Sequence, residues 1–141
     1  MKLYIGGAYR GKSRLVLEKY GFLPEDTADG NVCSIEDLMR APVIDHFHMF
    51  VKRALRDDTD ISDLAENLCR CNPEVIVISN ELGCGIVPAD KDDRRWRECT
   101  GRILCELAAF SEEVWRVVCG IRVPLKERGA DGEEKTGTAL N

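Results

Sequence analysis

The sequence predicts an α/β fold, one parallel sheet covered by helices on both faces, and three features carry that expectation. Short apolar runs ("KLYIGG", "EVIVISN", "EVWRVVCGI") alternate with amphipathic stretches of helical period. "EVIVISN" is continuously apolar and β-branched, as expected of a strand buried on both faces. A glycine loop joins the first run to the first amphipathic stretch, on the side of such sheets where ligands bind.

Taken in chain order, "KLYIGG" reads as a strand opening into a loop. "KSRLVLEKYG" sets Leu15, Leu17 and Tyr20 among charges at helical spacing and stops at Gly21. "FLPEDTADGN" is polar and turn-rich, and reads as a surface connection. In "CSIEDLMRA", Ser34 precedes Asp37 by three positions, which resembles a capping box on a short helix. "APVID" reads as a second short strand. "HFHMFVKRALRDD" gathers Phe47, Phe50, Val51 and Leu55 on one helical face. "DISDLAENLCRCNP" is a further amphipathic helix, stopped by Asn72 and Pro73. A long helix is expected from about Asp92 to Phe110, and "EVWRVVCGI" closes with another buried strand. The stretch from Glu127 is polar and glycine-containing. The expected organisation is therefore one nucleotide-binding domain over residues 1–126 and a disordered tail over 127–141.

Bulk properties narrow the function classes. At 141 residues the chain suits one ordinary domain, and 44% hydrophobic residues suffice for a core. The net charge of -5, with both signs dispersed, offers no basic stripe and argues against a nucleic-acid partner. No apolar stretch approaches the ~20 residues of a membrane span, so no membrane insertion is expected. The first apolar run is too short for a secretory signal, and a cytoplasmic location is expected. The seven cysteines (Cys33, Cys69, Cys71, Cys84, Cys99, Cys105, Cys119) are odd in number and form no C-x-x-C. They read as small, reduced core residues and not as zinc ligands.

"GGAYRGKS" carries the chemistry. Gly6, four residues, then Gly11, Lys12 and Ser13 complete the P-loop pattern, set between a strand and a helix. Its backbone N–H groups, from Gly6, Gly7, Ala8, Tyr9, Arg10 and Gly11 onward, would curl around phosphates that a Cβ would keep away. Lys12 would reach the β- and γ-phosphates, Ser13 would ligate Mg²⁺, and the helix would offer its positive N-terminus. The fold is thus expected to be P-loop NTPase-like, of RecA type. An acid near the metal is also needed, and two strand ends offer one, Asp45 and Glu81. Nothing in the loop reads a base, so GTP and ATP stand equal as co-substrate.

"GGAYRGKSR" resembles the P-loop of the adenosylcobinamide kinase/adenosylcobinamide-phosphate guanylyltransferase family, written G-G-A-R-S-G-K-S-R. "SNELGCGIVP" is similar to that family's N-E-V-G-x-G-I-V-P, and "RRWRECTGRILCELAAFSEEVWRVVCGI" to the block that follows it. The resemblance covers the P-loop and most of residues 43–125. It implies a transferase of adenosylcobalamin assembly that phosphorylates the aminopropanol arm of adenosylcobinamide and then transfers GMP onto that phosphate. It also implies Asp45 as the acid beside the nucleotide and Mg²⁺, a signature loop at Asn80, Glu81, Gly83 and Gly85, and a homo-oligomer with its active site between subunits. The sequence departs from the family between the P-loop helix and "PVID". There the family carries a strand and a helix with the histidine that becomes guanylylated, and this chain has a short segment without histidine. Kinase chemistry therefore keeps its parts better than guanylyl transfer. Two rivals remain, a non-catalytic nucleotide-binding subunit and a P-loop kinase of another small alcohol.

The two histidines, His46 and His48, follow "PVID" directly. Two apart, they cannot share one helical face. A role hydrogen-bonding nearby backbone is preferred for both; if one accepts a nucleotidyl group, His48 is chosen, with His46 paired to Asp45. Among Arg94, Arg95, Arg97 and Arg102, a solvated helix face is expected, with Arg102 the exception that could meet an anion. Trp96 and Trp115 are expected in the core or at a subunit contact.

Overall fold

The structure is a computed structural model that describes residues 1–8, 11–82, 89–128 and 134–136. Its strands are β1 (Lys2–Gly6), β2 (Thr27–Asp29), β3 (Val43–Asp45), β4 (Ile76–Asn80), β5 (Glu113–Val118), β6 (Ile121–Arg128) and β7 (Glu134–Thr136). The helices are α1 (Gly11–Tyr20), α2 (Ile35–Leu38), α3 (Phe47–Arg56), α4 (Leu64–Cys71) and α5 (Lys91–Phe110). They build one sheet in the order β2-β3-β4-β1-β5-β6-β7. The first five strands in that order are parallel, and β6 and β7 add antiparallel at one edge.

Strand alternation sorts the core into two layers. Leu3, Ile44, Val77 and Val114 face a cluster built with Phe47, Phe50 and Val51 of α3, Leu64 and Leu68 of α4, and Ile103 and Leu107 of α5. Their neighbours Tyr4, Val43, Ile76, Ile78, Trp115 and Val117 face the other way, toward Val16, with Leu15, Leu17 and Tyr20 of α1 at its margin. One face therefore carries α1, the other α3, α4 and α5, which is the expected P-loop NTPase-like arrangement. No helix among the described residues is long and apolar enough to cross a membrane.

Three expectations need correction. "FLPEDTADGN" is not only a connection: Thr27–Asp29 forms β2, paired parallel to β3 with Asp29 beside Asp45. Sequence reading missed it because three polar-flanked residues carry no alternation, and the neighbouring strand supplies the ladder. "EVWRVVCGI" is not one buried strand. It turns at Cys119 (φ 51°) and Gly120 (φ 74°), and two successive left-handed residues make the hairpin turn that matches strand twist. The stretch from Glu127 includes the end of β6 and all of β7, which pair Glu127 with Lys135. Of the cysteines described, Cys33 is buried, whereas Cys71, Cys105 and Cys119 are exposed.

Candidate active site

Parallel register brings the loop's neighbours together. Gly6 stands beside Asn80 on one side and Val117 on the other. A Cβ on Gly6 would lie 2.6 Å from the Val117 carbonyl oxygen, so the start of the loop needs glycine for space. The Glu81 N–H donates to the Gly6 carbonyl at 2.8 Å, which extends the β1–β4 ladder to the lip of the loop.

Lys12 lies at the base of this arrangement, only 5% exposed. Its ammonium donates to the Gly7 carbonyl and, at 2.9 Å, to Asn80 Oδ1. Burial pushes the ammonium below the usual lysine range, against the pull of the Asp45 and Glu81 carboxylates, which favour the charge. A phosphate would restore what burial removes, because it brings negative charge to a cation with few solvent contacts.

Two clefts share Lys12. The first, of about 240 Å³, lies toward β3 and β4 and is lined by Ala8, Lys12, Ser13, Asp45, His46, His48, Ile78, Ser79 and Asn80. Ser13 and Asp45, from α1 and the end of β3, thus face one space beside the lysine. The second, of about 540 Å³, lies toward β5 and the hairpin turn, and its wall includes Glu81, Arg116 and Val118. Arg116 donates to Glu81 Oε1 through Nε at 3.0 Å and Nη2 at 2.9 Å. Of the two candidate acids, then, Asp45 shares a cleft with Ser13, and Glu81 is committed to an arginine.

The histidines do opposite things. His46 takes the left-handed conformation (φ 52°) at the N-terminus of α3 and is half exposed. Its Nδ1–H donates to Asp29 Oδ1 at 3.1 Å, with Asp45 Oδ2 farther away at 3.7 Å. The expected pairing with Asp45 is therefore secondary to one with Asp29. Burial disfavours the Asp29 carboxylate, but bonds from Asn31 and His46 hold its carboxyl below the usual range. The turn is fixed from below by Gly30, whose N–H donates to the Asp45 carbonyl at 2.8 Å. A Cβ on Gly30 would stand 2.0 Å from the His46 carbonyl oxygen.

His48 is 4% exposed and stacks against Trp96, whose Nε1–H donates to the His48 carbonyl at 2.7 Å. Its Nδ1 accepts from the Asn80 N–H at 3.1 Å. Burial, with the nearby charges of His46 and Lys12, lowers its pKa to about 4, so the ring is neutral with its proton on Nε2. The Nδ1 lone pair, which a nucleotidyl acceptor would need, is thus engaged with backbone.

The remaining expectations fall as follows. Gly6, Gly7, Ala8, Gly11, Lys12 and Ser13 line one or both of the two clefts. Tyr9, Arg10, Gly83 and Gly85 lie outside the described residues. Asn80 holds Lys12, whereas Glu81 faces the second cleft. Arg95 and Arg102 line a separate cleft with Asp58, Asp60 and Glu98, away from the phosphate loop. Trp115 is buried against Tyr4 and carries the Arg122 guanidinium 3.8 Å from its ring centroid. Sequence reading missed Asp29, Arg116 and Cys119 as site neighbours. The "DGN" turn was the only local signal for Asp29, and nothing local pointed to the other two.

The family model for cobinamide kinase/cobinamide phosphate guanyltransferase matches residues 25–125. The bifunctional adenosylcobalamin biosynthesis protein CobU of Salmonella typhimurium is 41% identical over 76 residues, which are 54% of this chain and 41% of that protein. The protein of the same name from Escherichia coli is 41% identical over 69 residues, 49% of this chain and 38% of its own. The matches thus span about two fifths of these relatives' length. With the matched region running from the strand beside Asp45 through the hairpin, the chain belongs to the cobinamide kinase/cobinamide phosphate guanyltransferase family.

Proposed function

We propose that this chain is a P-loop kinase of adenosylcobalamin biosynthesis, which transfers the γ-phosphoryl group of GTP or ATP to the aminopropanol hydroxyl of adenosylcobinamide. One observation carries the reading: Lys12 and Ser13 of α1 and Asp45 of β3, far apart in the chain, line a single cleft at the mouth of the glycine loop. The hydroxyl oxygen attacks Pγ, the bond to the β–γ bridging oxygen breaks, a nucleoside diphosphate leaves, and the hydroxyl proton is released to solvent. Such transfer needs positioning and charge neutralisation more than covalent help. Lys12 offsets charge on the leaving phosphate, and the loop amides hold the chain of phosphates in line.

Ser13 and Asp45 fit Mg²⁺, since both offer hard oxygen donors and this ion is bound through one or two protein oxygens with phosphates and water. Bound there, the ion would neutralise charge on the β- and γ-oxygens. The same reading includes a cytoplasmic homo-oligomer, to be checked by light scattering.

The test is mass spectrometry of products after incubation with adenosylcobinamide, Mg²⁺ and either nucleotide. A phosphorylated cobinamide is expected, and a GDP-linked product would add guanylyl transfer. Unchanged cobinamide with both nucleotides overturns the kinase. Lys12→Ala should keep the fold and weaken triphosphate binding by about ten- to a hundredfold, as loss of a charge-assisted contact implies. Unchanged affinity would remove the P-loop from the account.

A further inference from the structure

His46 has no task in the reaction above, yet the fold holds it beside the phosphate cleft in an unfavourable backbone conformation. We propose that its Nε2 accepts a hydrogen bond from the acceptor alcohol and aims the attacking oxygen at Pγ. The inference rests on the kinase reading and adds a substrate-touching residue to it.

Strand order sets the direction of approach. Across the carboxyl ends of the strands, from β1 outward, stand Lys12 after the loop, Asn80 on β4, Asp45 on β3 and Asp29 on β2. In the kinase reading Lys12 marks the leaving phosphate, and Ser13 and Asp45 mark the γ end. Attacking and leaving oxygens lie roughly in line in phosphoryl transfer. The alcohol therefore arrives from the β2 side, where His46 lines the same cleft as Lys12, Ser13 and Asp45.

The ring is set to accept. Asp29 Oδ1 takes the Nδ1–H bond at 3.1 Å, which leaves the neutral ring a lone pair on Nε2. Nε2 has no hydrogen-bond partner among the described residues, and the side chain is 47% exposed. Three observations go beyond a merely structural histidine. The side chain makes no capping bond to α3, although His46 stands at its N-terminus. The backbone there is left-handed at φ 52°, a region that residues with a Cβ rarely adopt. That conformation is braced from both sides: Asp45 Oδ1 accepts the His46 N–H at 2.8 Å, and the Met49 N–H donates to the His46 carbonyl at 2.9 Å. Backbone held against its preference clusters where a side chain is presented to a ligand. Because phosphoryl transfer is loose, aiming the hydroxyl matters more than removing its proton early, and the proton goes to solvent as before.

The experiment compares wild type, His46→Asn and His46→Gln. Mass spectrometry follows the initial rate of cobinamide phosphorylation at saturating GTP or ATP with Mg²⁺. An Asn amide nitrogen keeps a donor for Asp29, and Asn tolerates left-handed backbone, but nothing then occupies the Nε2 position. Gln brings an acceptor oxygen to that position and gives up the bond to Asp29. His46→Asn should lower kcat/KM for the acceptor by about a hundredfold, the scale set by a misaligned reacting atom. His46→Gln should recover about tenfold of that loss, in keeping with partial realignment. A structural role predicts the reverse order of activities. Thermal midpoints should follow that reverse order, with His46→Asn nearer the wild type. His46→Asn at the wild-type rate, or His46→Gln no faster than His46→Asn, overturns the inference and leaves the kinase standing. If wild type leaves cobinamide unphosphorylated with both nucleotides, the kinase reading falls and takes this inference with it.

Discussion

The two sides of Lys12 are built by different means. Toward β3 and β4, polar groups are buried and bonded: Lys12 to Asn80, Asn80 to His48, and His48 to Trp96. Toward β5 and β6, the strand ends in a two-residue turn flanked by apolar residues that face solvent, Val118 at 50% and Ile121 at 66% exposed. The first side spends buried hydrogen bonds on fixing positions, and such networks are costly to break. The second leaves surface uncovered, where a substitution disturbs little. Stability should therefore be sensitive on one side of the loop and tolerant on the other.

Gly30→Ala tests the sensitive side hardest. The added Cβ would stand 2.0 Å from a backbone oxygen at the β3–α3 corner, where no flexible side chain can yield. Overpacking usually costs about 1–3 kcal/mol, and a backbone clash belongs at or above the upper end. Urea denaturation should show a loss of that size; a loss below about 1 kcal/mol would mean the corner is pliable.

His48→Phe comes next. It keeps the ring but strands the Asn80 N–H, a cost of about 1–3 kcal/mol for an unsatisfied buried donor. The same residue makes a pH prediction. With a folded pKa of about 4 against about 6.5 in the unfolded chain, the unfolded state binds the extra proton first. Stability contributed by neutral His48 is full above about pH 6.5 and is lost as pH falls through about 4. Denaturation midpoints across that window should slope for the wild type and flatten for His48→Phe. Parallel slopes would show that His48 is not the group responsible.

Arg116→Ala probes the tolerant side. Its ion pair with Glu81 is half exposed on the arginine, and such pairs are worth about 0–1 kcal/mol. A thermal midpoint within a few degrees of wild type is expected. A loss as large as that of His48→Phe would erase the contrast between the two sides.

Much of the fold was legible because its signals are local. The glycine loop, the capping box of Ser34 and Asp37, and the apolar faces of α3 and α4 are all set within a few residues of chain. The site was legible only where it coincides with a contiguous motif. The histidines show the limit: adjacency suggested that His46 pairs with Asp45, and the spacing said nothing of which ring would be buried. The structure turns His46 outward onto Asp29 and buries His48 under Trp96. A helix start in left-handed backbone rotates the two rings in a way that spacing does not reveal.

By itself, then, the sequence determined the phosphate loop, the alternation of strands and helices, and the family to which they point. Those follow from backbone geometry and periodicity, which act over one turn or one strand. Tertiary structure alone decided which acid shares a cleft with Ser13, which histidine is buried, and that Lys12 stands between two clefts. Each depends on strand order and register, which place Asp29 beside Asp45 and Gly6 between Asn80 and Val117. The physical reason is that these contacts join residues far apart in the chain, through side-chain packing that no local pattern encodes.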